Sequence, residues 1–169
     1  GRNRYVGYLI SLGMFSFKGK KVGLDCANGS AWMIARSVFD ALGATTYVMG
    51  DEPDGFNINN GVGSTHIKTL QRFVVEKGLD VGFAYDGDAD RCLAVDEKGA
   101  EIDGDKIIAL LAMTMKEKGR LDGDTAVVTV MSNLGFIKYM ESQGINTEKT
   151  AVGDRYVLEN MRENGFAIG

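Results

Sequence analysis

The sequence predicts an α/β protein organised as two consecutive small three-layer domains with mixed, mostly parallel sheets, the second truncated. Apolar runs of strand length alternate with segments of helical periodicity, which is the pattern of βαβ units. Gly43 and Gly78 stand where two of the helical segments end, the usual place for a glycine stop. Two closely spaced apolar runs then interrupt the rhythm, and it restarts at Asp103.

The first domain is expected over residues 1–102. Residues 5–12 are helix-like and read as a lead-in to a domain rather than the start of a whole protein. Residues 21–25 form a buried strand that ends at Asn28-Gly29, and residues 31–42 carry Ile34, Val38, Phe39 and Leu42 at helical spacing. A second strand covers 45–49, a turn-rich loop 51–64, a helix 67–77 and a third strand 79–85. A short strand at 92–95 turns at Glu97-Lys98-Gly99, so the third and fourth strands form a hairpin around the segment between them.

The second domain is expected over 103–169, with helices at 106–118, 134–143 and 155–164 and strands at 125–130 and 149–152. Another strand starts at Phe166-Ala167-Ile168. A sheet with two full strands at that point leaves an unfinished edge of unpaired backbone groups, so the chain is expected to be a fragment.

An apolar content of 44% is enough for a real core. The net charge of −4, with both signs interspersed, lacks the basic stripe that a phosphate backbone requires, which excludes nucleic acid as the expected partner. No apolar run approaches the roughly 20 residues of a membrane span, and the first residues lack a signal-peptide stretch, so a cytoplasmic home without a membrane partner is expected. Cys26 and Cys92 sit in strand-like runs without CxxC spacing and read as reduced core residues. The eight methionines are scattered and read as core filling.

The chemistry concentrates in Asp86-Gly87-Asp88-Ala89-Asp90-Arg91, directly after the third strand. In an extended stretch, aspartates at alternate positions point to one side. Like charges about 4 Å apart cost on the order of 1 to 4 kcal/mol per pair, a repulsion that a hard divalent cation reverses. Gly87 and Ala89 let the backbone curl so that Asp86, Asp88 and Asp90 converge on one metal, and magnesium suits a site with few carboxylates that keeps places for water and a phosphate. Arg91, beside that metal, is placed to pair with a phosphate through its fork and is the expected catalytic residue. The plain alternative is three water-facing aspartates. A calcium-binding module of the EF-hand kind is another, with Glu97 at the twelfth position, but Arg91 takes the sixth, where such a loop needs glycine, and the flanks read as strands.

Gly153-Asp154-Arg155 lies where a strand meets a helix, so backbone donors and the positive helix end favour an anion, and these residues are the expected substrate-binding set. Asp154 as a simple N-cap is the bland alternative. Asn28-Gly29-Ser30 lacks dinucleotide-site spacing and reads as a structural turn. His66 has no second histidine to partner it and reads as a cap or a surface residue.

The acidic loop resembles the metal-binding loop of the α-D-phosphohexomutase superfamily, and Asp25-Cys26-Ala27-Asn28-Gly29-Ser30 is similar to that superfamily's second-domain strand-to-helix turn. Pro53-Asp54-Gly55-Phe56-Asn57-Ile58-Asn59, Gly63-Ser64-Thr65-His66, Met131-Ser132-Asn133 and Val152-Gly153-Asp154-Arg155-Tyr156-Val157-Leu158-Glu159 are most similar to its phosphoglucosamine mutase branch. The resemblance covers essentially the whole chain and implies domain 2 plus most of domain 3 of a four-domain enzyme. It implies a phosphoserine in domain 1 that gives its phosphoryl group to a phosphorylated hexose or hexosamine and takes back the other phosphate. Magnesium would be held at the positions of Asp86, Asp88 and Asp90. The implied reaction converts glucosamine 6-phosphate to glucosamine 1-phosphate for cell-wall precursors, with a phosphoglucomutase or phosphomannomutase as the nearest rival. Pro53, the only proline, is not in a phosphoserine-loop setting, and the sugar-selecting glutamate loop and domain 4 are missing. Domains 1 and 4 are therefore the implied partners, and the chain alone is expected to be inactive.

Overall fold

A computed structural model describes residues 1–169, which divide into two units, Gly1–Ile102 and Asp103–Gly169. In the first, α1 (Arg2–Ser11), β1 (Lys21–Asp25), α2 (Ala35–Ala41), β2 (Thr45–Met49), α3 (Ile67–Lys77), β3 (Val81–Tyr85), β4 (Cys92–Asp96) and β5 (Glu101–Ile102) follow one another. The sheet runs β2-β1-β3-β4-β5. β2, β1 and β3 are parallel, whereas β4 and β5 are antiparallel additions.

Strand alternation assigns the two faces. Val22, Leu24 and Cys26 look to the α2 side with Ala31 and Ala35, and a stack of Phe17, Phe39 and Phe83 extends that core with ring centroids 5.9 and 5.6 Å apart. Leu70 and Val74 of α3 cover the other face with Leu79, Ala84 and Val95. Gly82 has to be glycine there, because a Cβ would meet Val74 at 2.6 Å and Leu70 at 3.0 Å. β1 is buried on both faces, so its C-terminal end delivers side chains to a sheltered place.

The helix expected at 31–42 is split: a tight turn at Ser30–Met33 precedes α2. Its first N–H groups are spent elsewhere, that of Ser30 on the Gly87 carbonyl and that of Ile34 on Ala31 only three residues back. The third strand begins later than expected, since Leu79 still closes the end of α3, its N–H on the Val74 carbonyl around the left-handed Gly78. The two-residue β5 is too short to show an alternation and was not expected.

The second unit holds α4 (Gly104–Glu117), β6 (Thr125–Thr129), α5 (Leu134–Ser142), β7 (Asn146–Thr150) and α6 (Asp154–Asn164). β6 and β7 pair in parallel. Ala126 and Val128 pack with Ala112 of α4 and with Phe136, Ile137 and Met140 of α5. β7 lies three residues earlier than expected at its start, because pairing with β6 recruits the polar run Asn146–Thr150 rather than the apolar Ala151-Val152. The strand expected to start after Phe166 is present as one hydrogen bond, Val127 N–H to the Ile168 carbonyl at 2.9 Å. No helix is long and apolar enough to cross a membrane.

The two cysteines differ, against the expectation that both are core residues. Cys26 is fully buried, whereas Cys92 is exposed, because it opens β4 beside the acidic loop and burial on that strand reaches completion only at Ala94 and Val95. Burial first, then the charges of Asp25 and Asp51, push the Cys26 thiol up to about 12, and desolvation pushes the Cys92 thiol up to about 11, so access to reagent rather than ionisation separates the two. A chromogenic disulfide reagent at pH 8 is expected to titrate one thiol in the native chain and two after denaturation. Two fast native thiols would contradict the assignment.

Candidate metal centre

β3 and β4 run antiparallel with Tyr85 opposite Cys92, so the residues between them must reverse direction in a tight loop. Ala89 takes the left-handed conformation at φ 59° to do so, and its N–H closes the turn on the Asp86 carbonyl at 3.1 Å. The loop is thus curled rather than extended, and the curl, not strand alternation, gathers the aspartates. One carboxylate oxygen from each of Asp86, Asp88 and Asp90 lies within 4.8 Å of the others. Oxygens about 2.1 Å from one ion are at most about 4.2 Å apart, so these three need close only slightly to share a magnesium.

The electrostatics suit a cation. Desolvation works to raise Asp86, but the Arg91 N–H at 3.2 Å, the hydrogen bond shared with Asp90 and the Arg91 charge outweigh it and hold its carboxyl below the ordinary value. Asp90 goes the other way, raised by the bond shared with Asp86 and then by repulsion from Asp88 and Asp86. The Arg91 guanidinium lies 4.0 Å from Asp86 with its side chain 77% exposed. With the guanidinium largely in solvent and 4.0 Å from a carboxylate that is only 14% exposed, Arg91 is held at the outer limit of an ion pair, which leaves its fork able to turn to another anion. The three carboxylates offer only hard oxygens, the donor set that suits magnesium or calcium. Flanking strands in place of helices exclude an EF-hand.

The loop is seated on backbone. Ser30 donates its N–H to the Gly87 carbonyl at 2.8 Å, and Gly29 lies so close that a Cβ there would collide with the Gly87 carbonyl oxygen. From the other side, Ile58 packs where a Gly87 side chain would be. Asn28-Gly29-Ser30, expected as a structural turn, is the floor of the acidic loop.

Sequence reasoning missed the most buried charge in this unit. Asp25, at the end of β1, is 0% exposed and accepts N–H groups from Ala27 at 3.0 Å and Gly63 at 2.7 Å. Burial pushes its carboxyl above the ordinary range, opposed by those two donors and by the His66 charge. The one available signal was a carboxylate closing an otherwise apolar strand. His66 starts α3, makes no capping bond and touches Thr65.

In the second unit, Gly153 is the N-cap of α6, so Asp154 is its first helical residue instead of the cap. The Asp154 carboxylate accepts the N–H of Arg155, and Arg155 pairs with Glu159 one turn on at 2.8 Å, both side chains largely exposed. Gly153, Asp154 and Arg155 are therefore together at an open helix N-terminus.

Comparison with known proteins agrees with this architecture. The model of the phosphoglucomutase/phosphomannomutase alpha/beta/alpha domain II matches residues 3–99, and that of domain III matches residues 103–169. The phosphoglucosamine mutase of Lachnoclostridium phytofermentans is 64% identical over 169 residues, and that of Lachnospira eligens 59%. The chain is covered completely in both cases and spans 38% of each relative's length. Among solved structures, a phosphoglucomutase/phosphomannomutase family protein from Burkholderia thailandensis superposes with a TM-score of 0.83 at 24% identity, over 98% of this chain and 36% of that one. An N-acetylglucosamine-phosphate mutase does so with a TM-score of 0.68 at 19% identity, over 96% and 39%. At such identities the structural likeness speaks for the fold.

Proposed function

Since the chain belongs to the phosphoglucomutase/phosphomannomutase family, as its domains II and III, we propose that it is the metal-holding part of a magnesium-dependent phosphosugar mutase. The reaction proposed is glucosamine 6-phosphate to glucosamine 1-phosphate, in the cytoplasm, for cell-wall precursors. Relatives named phosphoglucosamine mutase, up to 64% identical, favour the hexosamine over the glucose and mannose phosphates. The observation that carries the proposal is the convergence of three carboxylates within 4.8 Å beside a guanidinium.

In this reading Asp86, Asp88 and Asp90 hold the cation. When bound, magnesium supplies a positive charge that polarises phosphoryl oxygens and offsets the charge that develops during transfer. Arg91 turns from Asp86 to hold two phosphate oxygens, orienting the group in line. Three carboxylates against one divalent ion and one guanidinium sum to neutrality, so the site takes phosphate without excess repulsion. Within the second unit, Gly153, Asp154 and Arg155 are read as an anion-binding end of α6, the helix N-terminus offering N–H groups and Arg155 leaving Glu159 for a phosphate. Phosphoryl transfer asks mainly for such positioning and charge, and the resemblance implies that the nucleophilic phosphoserine lies in a domain 1 outside this chain.

Calorimetric titration of the 169-residue chain is expected to show weak magnesium binding without opening of the β3–β4 hairpin. A coupled assay on glucosamine 6-phosphate is expected to show no turnover by the chain alone. Strong calcium preference with a large conformational opening would favour a calcium module, and turnover at the full rate would overturn the need for a separate nucleophile.

A further inference from the structure

Asp25 poses a physical problem. A carboxylate at 0% exposure is costly unless its oxygens are satisfied, and a strand end offers cheaper solutions, such as a serine or an asparagine. What aspartate alone provides is two acceptors with no donor, and Asp25 uses one oxygen for each of two chain segments, Ala27 N–H on Oδ1 and Gly63 N–H on Oδ2.

Both segments lead to the acidic loop. On the first arm, Ala27 and Asn28 take left-handed conformations at φ 56° and 49°, which bring Gly29 and Ser30 under Gly87 for the Ser30-to-Gly87 hydrogen bond. On the second arm, Gly63, itself left-handed at φ 85°, lies against the carbonyl of Tyr85, the residue before Asp86; a Cβ there would be 2.8 Å from that oxygen. The same arm carries Asn59, whose N–H bonds the Ala27 carbonyl at 2.9 Å, and Ile58, which packs on Gly87. Gly50 completes the enclosure, its Cβ position 2.9 Å from Asp25 Oδ1.

We propose that Asp25 is a positioning residue for the metal loop: its buried carboxylate clamps the Ala27 and Gly63 segments together, and these two bracket Gly87 and Tyr85 from opposite sides. The inference rests on reading Asp86, Asp88 and Asp90 as metal ligands. Residues that orient ligands from outside are worth about 10- to 100-fold in metal affinity. Asp25→Asn keeps one acceptor but turns an NH2 group toward a backbone N–H, so one arm is released.

The test uses this chain, with Mn2+ as the probe followed by electron paramagnetic resonance, and amide hydrogen exchange at residues 86–91. In Asp25→Asn the Mn2+ dissociation constant is expected to rise about tenfold, the lower end for such residues, and exchange at 86–91 to accelerate. Leu70→Ala, which removes a fully buried side chain from the α3 core without touching the bracket, is the control for lost stability and is expected to leave both readouts unchanged at equal folded fraction. Should Asp25→Asn fail to fold, Asp25→Ser, which shortens the clamp without adding a contact to the loop, is expected to give the same pattern. Unchanged exchange at 86–91 in the variant that folds, or equal changes in Leu70→Ala, overturns the proposal. Absence of Mn2+ binding by the unaltered chain would sink the metal reading instead, and the exchange measurement would still decide whether Asp25 holds the loop.

Discussion

Asp88→Asn is expected to weaken divalent-metal binding by this chain on the order of 100-fold while leaving its melting temperature unchanged or slightly raised. The two effects share one cause. Asp88 is exposed and adds a third negative charge within reach of Asp86 and Asp90. Without a cation that charge only repels, and its presence is part of why the Asp90 carboxyl is raised. Neutralising it removes the repulsion in the free chain, which favours the fold, and removes a charged ligand from the bound state, which disfavours metal. A residue kept for structure shows the opposite pattern, since its loss lowers stability first. On the proposed function, the same change in the full-length protein is expected to abolish most mutase turnover. Calorimetric titration and a thermal melt on one preparation test this, and unchanged metal affinity would remove Asp88 from the site.

Gly29→Ala is expected to cost about 2 to 4 kcal/mol of stability in the first unit and to disorder the acidic loop with it. Its backbone is not in the left-handed region, so strain is not the reason. The reason is contact. A Cβ at residue 29 would collide with the Gly87 carbonyl oxygen and lie 2.6 Å from its Cα and 2.8 Å from its carbonyl carbon, all main-chain atoms that cannot rotate aside. The loop must lift, and the Ser30 N–H to Gly87 carbonyl bond breaks. Gly87→Ala supplies the comparison, because its added Cβ meets the Ile58 and Asn59 side chains, which can move. Chemical denaturation should therefore rank Gly29→Ala as the more damaging of the two. A Gly29→Ala chain as stable as the unaltered one would show that the floor under the loop is not rigid.

The elements were legible where burial imposes a period. β1 and β2 stand where apolar runs end at turns, and α3 stops at Gly78 because only a left-handed residue closes that end. Errors fall where a partner elsewhere in the chain decides. Ser30 gives its N–H to Gly87 and tightens the helix start, β6 draws a polar run into β7, and β5 exists only because β4 offers it an edge. Cys92 was misplaced for the same reason, since whether a strand end is covered depends on what packs there.

The candidate metal site divides in the same way. Three aspartates at alternate positions after an apolar strand are a local arrangement of charge, and local sequence suffices to single them out, with Arg91, as the candidate cation site. What that sequence could not supply is the means of holding the loop, because Asp25 and Gly63 are 38 residues apart and meet only when β1 and the segment before α3 are folded together. Composition and periodicity determine which residues are apolar and where carboxylates cluster. Which backbone groups are left to bind a buried carboxylate, and which glycines are pressed against main chain, is settled by the packed structure alone, since hydrogen bonds and hard contacts act over a few ångström in space regardless of separation along the chain.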